Sequence, residues 1–298
     1  MNKAMIAVAA IAASGTAFAG GHSGGDSGLD LELGGFIWAD VGTGDRYDGS
    51  DDDQTGISKA AVTVSTSVDN VTAGMTLGVD NAINSNLGSN GSDNDDLEVK
   101  EAWIAFDLDI ADITIGKQAL GFGLKPAGWV GGRPINDGEE FGGGNGGNVS
   151  GQVVTGIAAD FALSDNLGLR AAIFDSADSG ADNSMTDNFM LQLRSDDLFG
   201  TGLYASAGYE EVADAAIGDA EVTSIGVGYD FGVVDLSIES QSIDADGAAD
   251  EDTTIIAASI PVNEQTGIYV DYADGETSET LRVGMSFSYN DNVDFILE

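Results

Sequence analysis

Apolar residues recur at every second position of this chain, in segments about ten residues long, and no other feature constrains its fold as strongly. In residues 70–80, Val71, Ala73, Met75, Leu77 and Val79 point one way, while Thr72, Gly74, Thr76 and Gly78 point the other. Side chains alternate faces along a strand but not along a helix, so the period predicts strands. Ala102, Ile104, Phe106 and Leu108 form a second case, and Leu167, Leu169, Ala171 and Ile173 a third. Leu203/Ala205/Ala207/Tyr209, Ile225/Val227/Tyr229, Val234/Leu236/Ile238, Ile268/Val270/Tyr272 and Leu281/Val283/Met285/Phe287/Tyr289 repeat it. Glycine supplies 43 of 298 residues, and Asp, Asn, Ser and Thr recur every few positions. That composition disfavours helix and suits many strands joined by turns.

The pattern predicts strands at 29–42, 57–68, 71–80, 97–108, 111–120, 150–163, 167–175, 186–196, 199–211, 220–230, 232–242, 252–261, 264–273, 279–289 and 292–298. The opposite faces carry Arg170, Arg194, Glu210, Asp235, Glu239, Asp271 and Arg282. A soluble sandwich alternates too, so the connections are the better guide. Short gaps such as Asp69-Asn70, Asp109-Ile110, Asp197-Leu198 and Asn290-Asp291 alternate with long ones at 43–56, 81–96, 121–149, 176–185, 212–219, 243–251 and 274–278. Tight turns on one rim and longer loops on the other are what an outer-membrane barrel shows. The long gaps are acidic: Asp45, Asp48, Asp51, Asp52 and Asp53 in the first, Asp244, Asp246, Asp250 and Glu251 in the sixth. The expected fold is therefore all-β, a transmembrane antiparallel β-barrel. Bacterial barrels have even strand numbers, and fifteen segments are present. Sixteen strands are expected, with the chain incomplete at its C-terminus; the alternative is fourteen, closed by 279–289.

The first nineteen residues differ from the rest. Lys3 precedes the apolar run Ala4 to Ala13, and Ala17-Phe-Ala19 follows with small residues at the positions that a signal peptidase reads. Residues 1–19 are expected to be a signal peptide, cleaved after Ala19, with the barrel at 20–298. The cleaved chain keeps nine bases against 51 acids, a formal charge of −42. That excludes a general nucleic-acid binder, which needs clustered Lys and Arg. It also suits a salty habitat, where dense carboxylates stay solvated and their repulsion is screened. Cysteine is absent, so an exported chain of this length must draw stability from elsewhere, and complete backbone pairing would supply it.

Little points to catalysis or a cofactor. His22 is the one histidine and lies in a Gly/Ser-rich stretch, which argues against a His-based triad or a zinc site. Residues 142–147 are Gly-rich but lack the Gly-Lys-Ser/Thr of a phosphate cradle. Asp48, Asp51 and Asp53 form a weak calcium candidate without the distal Glu of an EF-hand, and a solvated acidic loop explains them as well. No enzymatic activity, metal or cofactor is expected. Trp38, Trp103 and Trp129 are candidates for interfacial aromatic girdles.

The longest connection, 121–149, holds Pro126 and Pro134, and loops of that length are usually functional. Around it the chain resembles a known family. Residues 33–40 (Leu-Gly-Gly-Phe-Ile-Trp-Ala-Asp) look like a porin first strand. Residues 101–106 (Glu-Ala-Trp-Ile-Ala-Phe), followed by 115–123 (Ile-Gly-Lys-Gln-Ala-Leu-Gly-Phe-Gly), are similar to the strand pair before the constriction loop of Gram-negative trimeric and phosphate-selective porins. The resemblance runs diffusely from Leu29 to Tyr289 and departs from the family in its few basic residues. It implies a third external loop folded into the lumen, and a transverse field between basic wall residues and acids on that loop.

Four of the nine bases beyond the leader fall between residues 100 and 133. On this resemblance the constriction would hold Lys100, Lys117, Lys125 and Arg133 against Asp137, Glu139 and Glu140. Arg170, Arg194 and Arg282 would stand on the pore wall. Such bases would also be expected merely to neutralise acids inside a very negative barrel. Strict alternation places Lys117 with Ile113 and Ile115, which leaves a rim position or a bulge at Gly116. The expected function is passive diffusion of small hydrophilic solutes and ions, with a preference for cations. The alternatives are a phosphate-selective pore and a non-channel adhesin or structural barrel. The expected partners are outer-membrane lipid, lipopolysaccharide and two further copies in a homotrimer.

Overall fold

The computed structural model describes residues 30–43, 53–80, 97–124, 153–175, 188–214, 218–246, 250–275, 279–290 and 293–297. Fifteen strands occupy them: β1 (Asp30–Thr43), β2 (Asp53–Val68), β3 (Val71–Asp80), β4 (Glu98–Leu108), β5 (Ala111–Ala119), β6 (Val153–Ser164), β7 (Leu167–Asp175) and β8 (Asn188–Leu198). The series continues with β9 (Leu203–Asp214), β10 (Gly218–Asp230), β11 (Asp235–Ala245), β12 (Glu251–Asn263), β13 (Thr266–Gly275), β14 (Glu279–Asn290) and β15 (Val293–Leu297). Each falls on one of the fifteen segments read from the period. Every strand is hydrogen-bonded to its neighbours in sequence, in the order β1 through β15. The registers resolved are all antiparallel, as up-and-down connection by hairpins requires.

The turns depart from expectation where backbone conformation was hidden. The gap after β8 is 199–202, not Asp197-Leu198. Phe199 and Gly200 both take positive φ, 64° and 67°, the conformation of a tight hairpin turn. The Asp197 carboxylate accepts the Gly202 N–H at 2.7 Å, and Thr201 Oγ1 donates to the Leu198 carbonyl at 2.8 Å. A phenylalanine with positive φ is uncommon, so its apolar character read as strand. Between β10 and β11 the turn is 231–234 rather than Phe231 alone: Gly232 has φ 77°, and Phe231 N–H donates to the Val234 carbonyl. Strands also run further into the long side than expected. Only 215–217 separate β9 from β10, and 276–278 separate β13 from β14. The sorting into short and long connections therefore holds in the first half of the chain and fades in the second.

Two compact units divide the chain. Unit 1 holds β1, β2, β3, the start of β4, the end of β12, the start of β13, the end of β14 and β15. Its β1–β2 ladder slips once, between Trp38 and Ala39. Within it, Thr76 Oγ1 donates to Glu101 at 3.3 Å, and a Cβ added to Gly78 would lie 3.2 Å from Lys100 Cγ. Thr76 and Gly78 share a face, so two consecutive residues of β4 approach the same face of β3, which regular alternation does not allow.

Unit 2 holds the remainder of β4, β5 to β11, most of β12 and β13, and the start of β14. Its faces are inverted relative to a soluble sheet. Ile225 (69% exposed), Val227, Leu191, Leu193, Leu236, Ile238 and Ile256 lie on the open face. The covered face buries Gln192, Ser206, Glu210, Ser224, Glu239, Gln241 and Asp271. Leaving so many large aliphatic residues uncovered in water would forfeit about 1.5–3 kcal/mol each, so this face requires an apolar surrounding.

Candidate functional site

The covered face of unit 2 is occupied by the chain's own next segment. After β5, period-two burial continues past the last ladder bond: Leu120, Phe122 and Leu124 are buried, with Phe122 only 1% exposed. These side chains press onto β9 and β10. A Cβ added to Gly208 would lie 2.6 Å from Phe122 Cε2, and one added to Gly226 would lie 2.7 Å from Leu124 Cβ. Ser206 and Gly208 pair with Gly226 and Ser224 respectively, so two serines and two glycines form one shallow slot. Leu120 and Phe122 also close an apolar cluster with Val154, Ala158, Ala172, Phe174, Met190, Val212 and Val222.

Polar groups hold the segment at Gly123. Gln192 Nε2 and Ser206 Oγ both donate to its carbonyl, at 2.5 and 3.2 Å. Its φ is 86°, and Glu239 Oε1 stands where a Cβ would project, so only glycine fits there. Glu239 is itself held by Ser224 Oγ at 2.6 Å and Gln241 Nε2 at 3.0 Å. Of the residues on β8 to β11 that receive the segment, the alternation places Glu239 on the polar face, but Gln192, Ser206, Gly208, Ser224, Gly226 and Gln241 carry no sequence expectation of this contact. The available signal was the run of small residues at alternate positions, Ser206/Gly208 and Ser224/Gly226/Gly228, opposite Ala205, Ala207, Ile225 and Val227.

Beside Gly121 lies a cavity of about 530 Å³, lined by Asp160, Arg170, Gln192, Arg194, Asp196 and other residues of β6 to β8 and their turns. Arg170 forms a two-point pair with Asp160, 2.6 Å from Nε to Oδ1 and 3.1 Å from Nη2 to Oδ2. Arg194 Nε meets Asp196 Oδ1 at 2.8 Å. The register sets Arg170 opposite Gln192 and Asp160, so the two arginines share the covered face with Gln192, as the alternation predicts. Glu210 lies on the same face and is fully buried. Neither of its carboxyl oxygens has a hydrogen-bond partner among the described residues.

The other expected site residues divide. Lys100 lies in β4, with Nζ 2.8 Å from Glu98 Oε2. Lys117 pairs in register with Thr155, and Ile115 with Ile157, in a ladder unbroken at Gly116, although that glycine has φ 130°. The ladder to β6 therefore does not slip there, and Lys117 keeps the Ile113/Ile115 face, two residues before β5 ends. It stands on the face opposite Gln118 and Asp160. Arg282 is the fourth residue of β14. Lys125, Arg133, Asp137, Glu139 and Glu140 lie outside the described residues, as do the leader, His22, Trp129, Asp48 and Asp51. Asp53 opens β2, paired with Thr43. Among the described residues no three acidic or histidine side chains gather as metal ligands.

An aliphatic face that needs lipid, a covered face of carboxylates, amides and arginines, and a strand-to-strand segment laid along that covered face define a transmembrane β-barrel protein with a polar interior. The family model described as Gram-negative porin matches residues 4–295, and the chain belongs to that family. It is an outer-membrane protein. Its fold is similar to that of the anion-selective porin from Comamonas acidovorans, with TM-score 0.67 at 16% identity over 90% of this chain and 87% of that one. It is also similar to Salmonella typhi OmpF in complex with daunomycin, with TM-score 0.64 at 14% identity over 91% of this chain and 96% of that one. A mutant of the Rh. blastica porin gives 0.60 at 13% identity over 90% and 97%. A search of curated protein sequences finds no match.

Proposed function

We propose that this porin passes small hydrophilic solutes and ions by diffusion and prefers cations, with its narrowest point where the 121–149 connection enters the lumen. The observation that carries the reading is the seating of Leu120–Leu124 on the polar face of β8 to β11. A connection rooted there starts inside the lumen rather than above it. The sign of the preference follows from the wall. Arg170 and Arg194 are each matched by an aspartate, while the buried carboxylate of Glu239 takes its hydrogen bonds from a hydroxyl and an amide. Over the whole chain acids exceed bases by 41. Fixed charges in a narrow passage select ions by sign. Porins of this fold include an anion-selective one, so the fold does not dictate the preference.

In this reading Lys125 and Arg133 face Asp137, Glu139 and Glu140 across the passage, and Arg170, Arg194 and Arg282 line the wall. The leader is removed after Ala19, the barrel sits among lipopolysaccharide and other outer-membrane lipids, and three copies associate. The test is the reversal potential across a planar bilayer in a salt gradient. A cation-selective potential is expected at low salt and should shrink as ionic strength rises, because screening shortens the reach of each wall charge. An anion-selective potential overturns the reading. Failure of phosphate to compete with chloride conductance is the further expectation, since the wall arginines are already paired.

A further inference from the structure

We infer that Gln192 and Ser206 are positioning residues for the pore: their shared grip on the Gly123 carbonyl sets how far the connecting segment stands off the wall, and so sets the open cross-section. The inference rests on the reading that the 121–149 connection narrows the passage. It goes beyond that reading by locating the control at the root of the connection, on β8 and β9, rather than at its charged residues.

Three observations converge on the root. Gly123 has a single carbonyl, and it accepts from both Gln192 Nε2 and Ser206 Oγ, which also bond one another at 2.8 Å. The three groups are therefore mutually fixed, and all are buried. On either side of Gly123, Phe122 and Leu124 fill spaces that exist only because positions 208 and 226 lack a Cβ. Behind Gly123, Glu239 blocks any side chain and is itself immobilised by Ser224 and Gln241. The root thus has one position with good geometry, held by two donors, two apolar pegs and a backstop. Gln192 also lines the cavity that contains Arg170 and Arg194. One side chain therefore touches both the seated segment and that cavity, and movement of the root changes the cavity directly at that point. A carbonyl buried without its donors is costly, so loss of the grip favours a root lifted toward water.

The test uses the full-length protein in planar bilayers and compares four chains. Deletion of residues 127–147 reports on the underlying reading: higher single-channel conductance supports a narrowing connection, and unchanged conductance removes it. Gln192→Leu with Ser206→Ala reports on the grip. The expected result is more frequent visits to higher conductance levels, about tenfold for each hydrogen bond lost to the buried carbonyl. Ser206→Thr keeps a hydroxyl and is expected to retain the wild-type levels. Heat-modifiable mobility on a gel confirms that each variant is folded. A grip that serves only stability would lower resistance to denaturant and leave the conductance levels unmoved. If the deletion raises conductance but the folded double variant shows the wild-type distribution of levels, the inference is overturned and the reading stands. If the deletion leaves conductance unchanged, both fall. Should the double variant not fold, Gln192→Leu alone is the deciding chain, with the same two outcomes.

Discussion

Gly226→Ala should destabilise the protein, although alanine is usually the better residue in a strand. The added Cβ would lie 2.7 Å from Leu124 Cβ, 3.1 Å from its Cδ2 and 3.2 Å from its Cγ. Carbon atoms pack best at about 3.5–4.0 Å, so the nearest contact is about 1 Å too close. Leu124 is buried, and its Cβ is one bond from the backbone, so a rotamer change cannot relieve the clash. The backbone must shift beside Gly123, whose carbonyl is held by two donors. Overpacking of this kind costs about 1–3 kcal/mol. Loss of glycine's freedom in the unfolded chain returns about 0.4–1 kcal/mol. The net expectation is a loss of about 1–2 kcal/mol. Gly168→Ala is the control: its Cβ would meet only backbone oxygens at 3.7 and 4.0 Å, and it should be neutral or slightly stabilising. Gly156→Ala should be the worst of the three, because its Cβ would meet Phe174 Cβ at 2.6 Å and the Ile173 carbonyl. Reversible urea unfolding from lipid vesicles, followed by tryptophan fluorescence, gives the three differences. Equal values for Gly226→Ala and Gly168→Ala would show that Leu124 does not sit in that slot, and would refute the packing argument.

Three other substitutions probe the two faces. Arg170→Met removes a half-exposed ion pair and should change stability by no more than about 1 kcal/mol. It leaves the Asp160 charge uncompensated on the wall, so the reversal potential should move toward stronger cation preference, and a move toward anions contradicts the assignment. Glu210→Leu should raise urea resistance by about 1–3 kcal/mol, since a buried carboxyl without partners costs that much to keep; a loss of similar size would mean that Glu210 is bonded from beyond the described residues. Ile225→Arg places a charge on the open face near the middle of β10 and should cost about 2–4 kcal/mol if that face meets the bilayer midplane. A cost below 1 kcal/mol in vesicle refolding would show that Ile225 does not meet hydrocarbon.

Most of the fold could be read because a sheet's faces are encoded locally. Val71–Asp80 and Leu167–Asp175 match their predicted bounds, because each is a clean run of alternating apolar residues between Asp/Asn-containing turns. The errors arise where backbone conformation and residue type disagree. Phe199 turns the chain with a positive φ that its side chain does not advertise. Lys100 and Glu101 both approach one face of β3, so counting by two across them assigns one of them to the wrong side. Charge placement was legible to the same extent: Arg170, Arg194, Glu210 and Glu239 all stand on the face that alternation assigns. Lys117 could be placed by counting as well, and the ladder agrees with the count rather than with a bulge at Gly116.

The receiving side of the site was illegible for a different reason. Small residues at alternate positions have two physical meanings in a barrel. They can line water, where a short polar side chain leaves the lumen open, or they can leave room for something apolar to dock. Ser206-Ala-Gly208 and Ser224-Ile-Gly226 fit both equally well. What separates the two is a segment far away in sequence: Gly123 lies 69 residues from Gln192 and 83 from Ser206. Period two carries no information at that range, because it reports which face a residue is on and not what covers that face. The docking segment did leave one local trace. Past the last ladder partner of β5, Ala119, the apolar residues change face: Ile113 and Ile115 stand on one side, and Leu120, Phe122 and Leu124, with glycine between them, on the other. Apolar side chains at the mouth of a polar lumen gain nothing from water, so such an overhang has to be buried against a wall that gives it space. A strand whose apolar residues change face where its ladder ends, together with a later pair of strands bearing glycines at alternate positions of one face, is therefore a joint signal for an inserted loop, and neither half is informative alone.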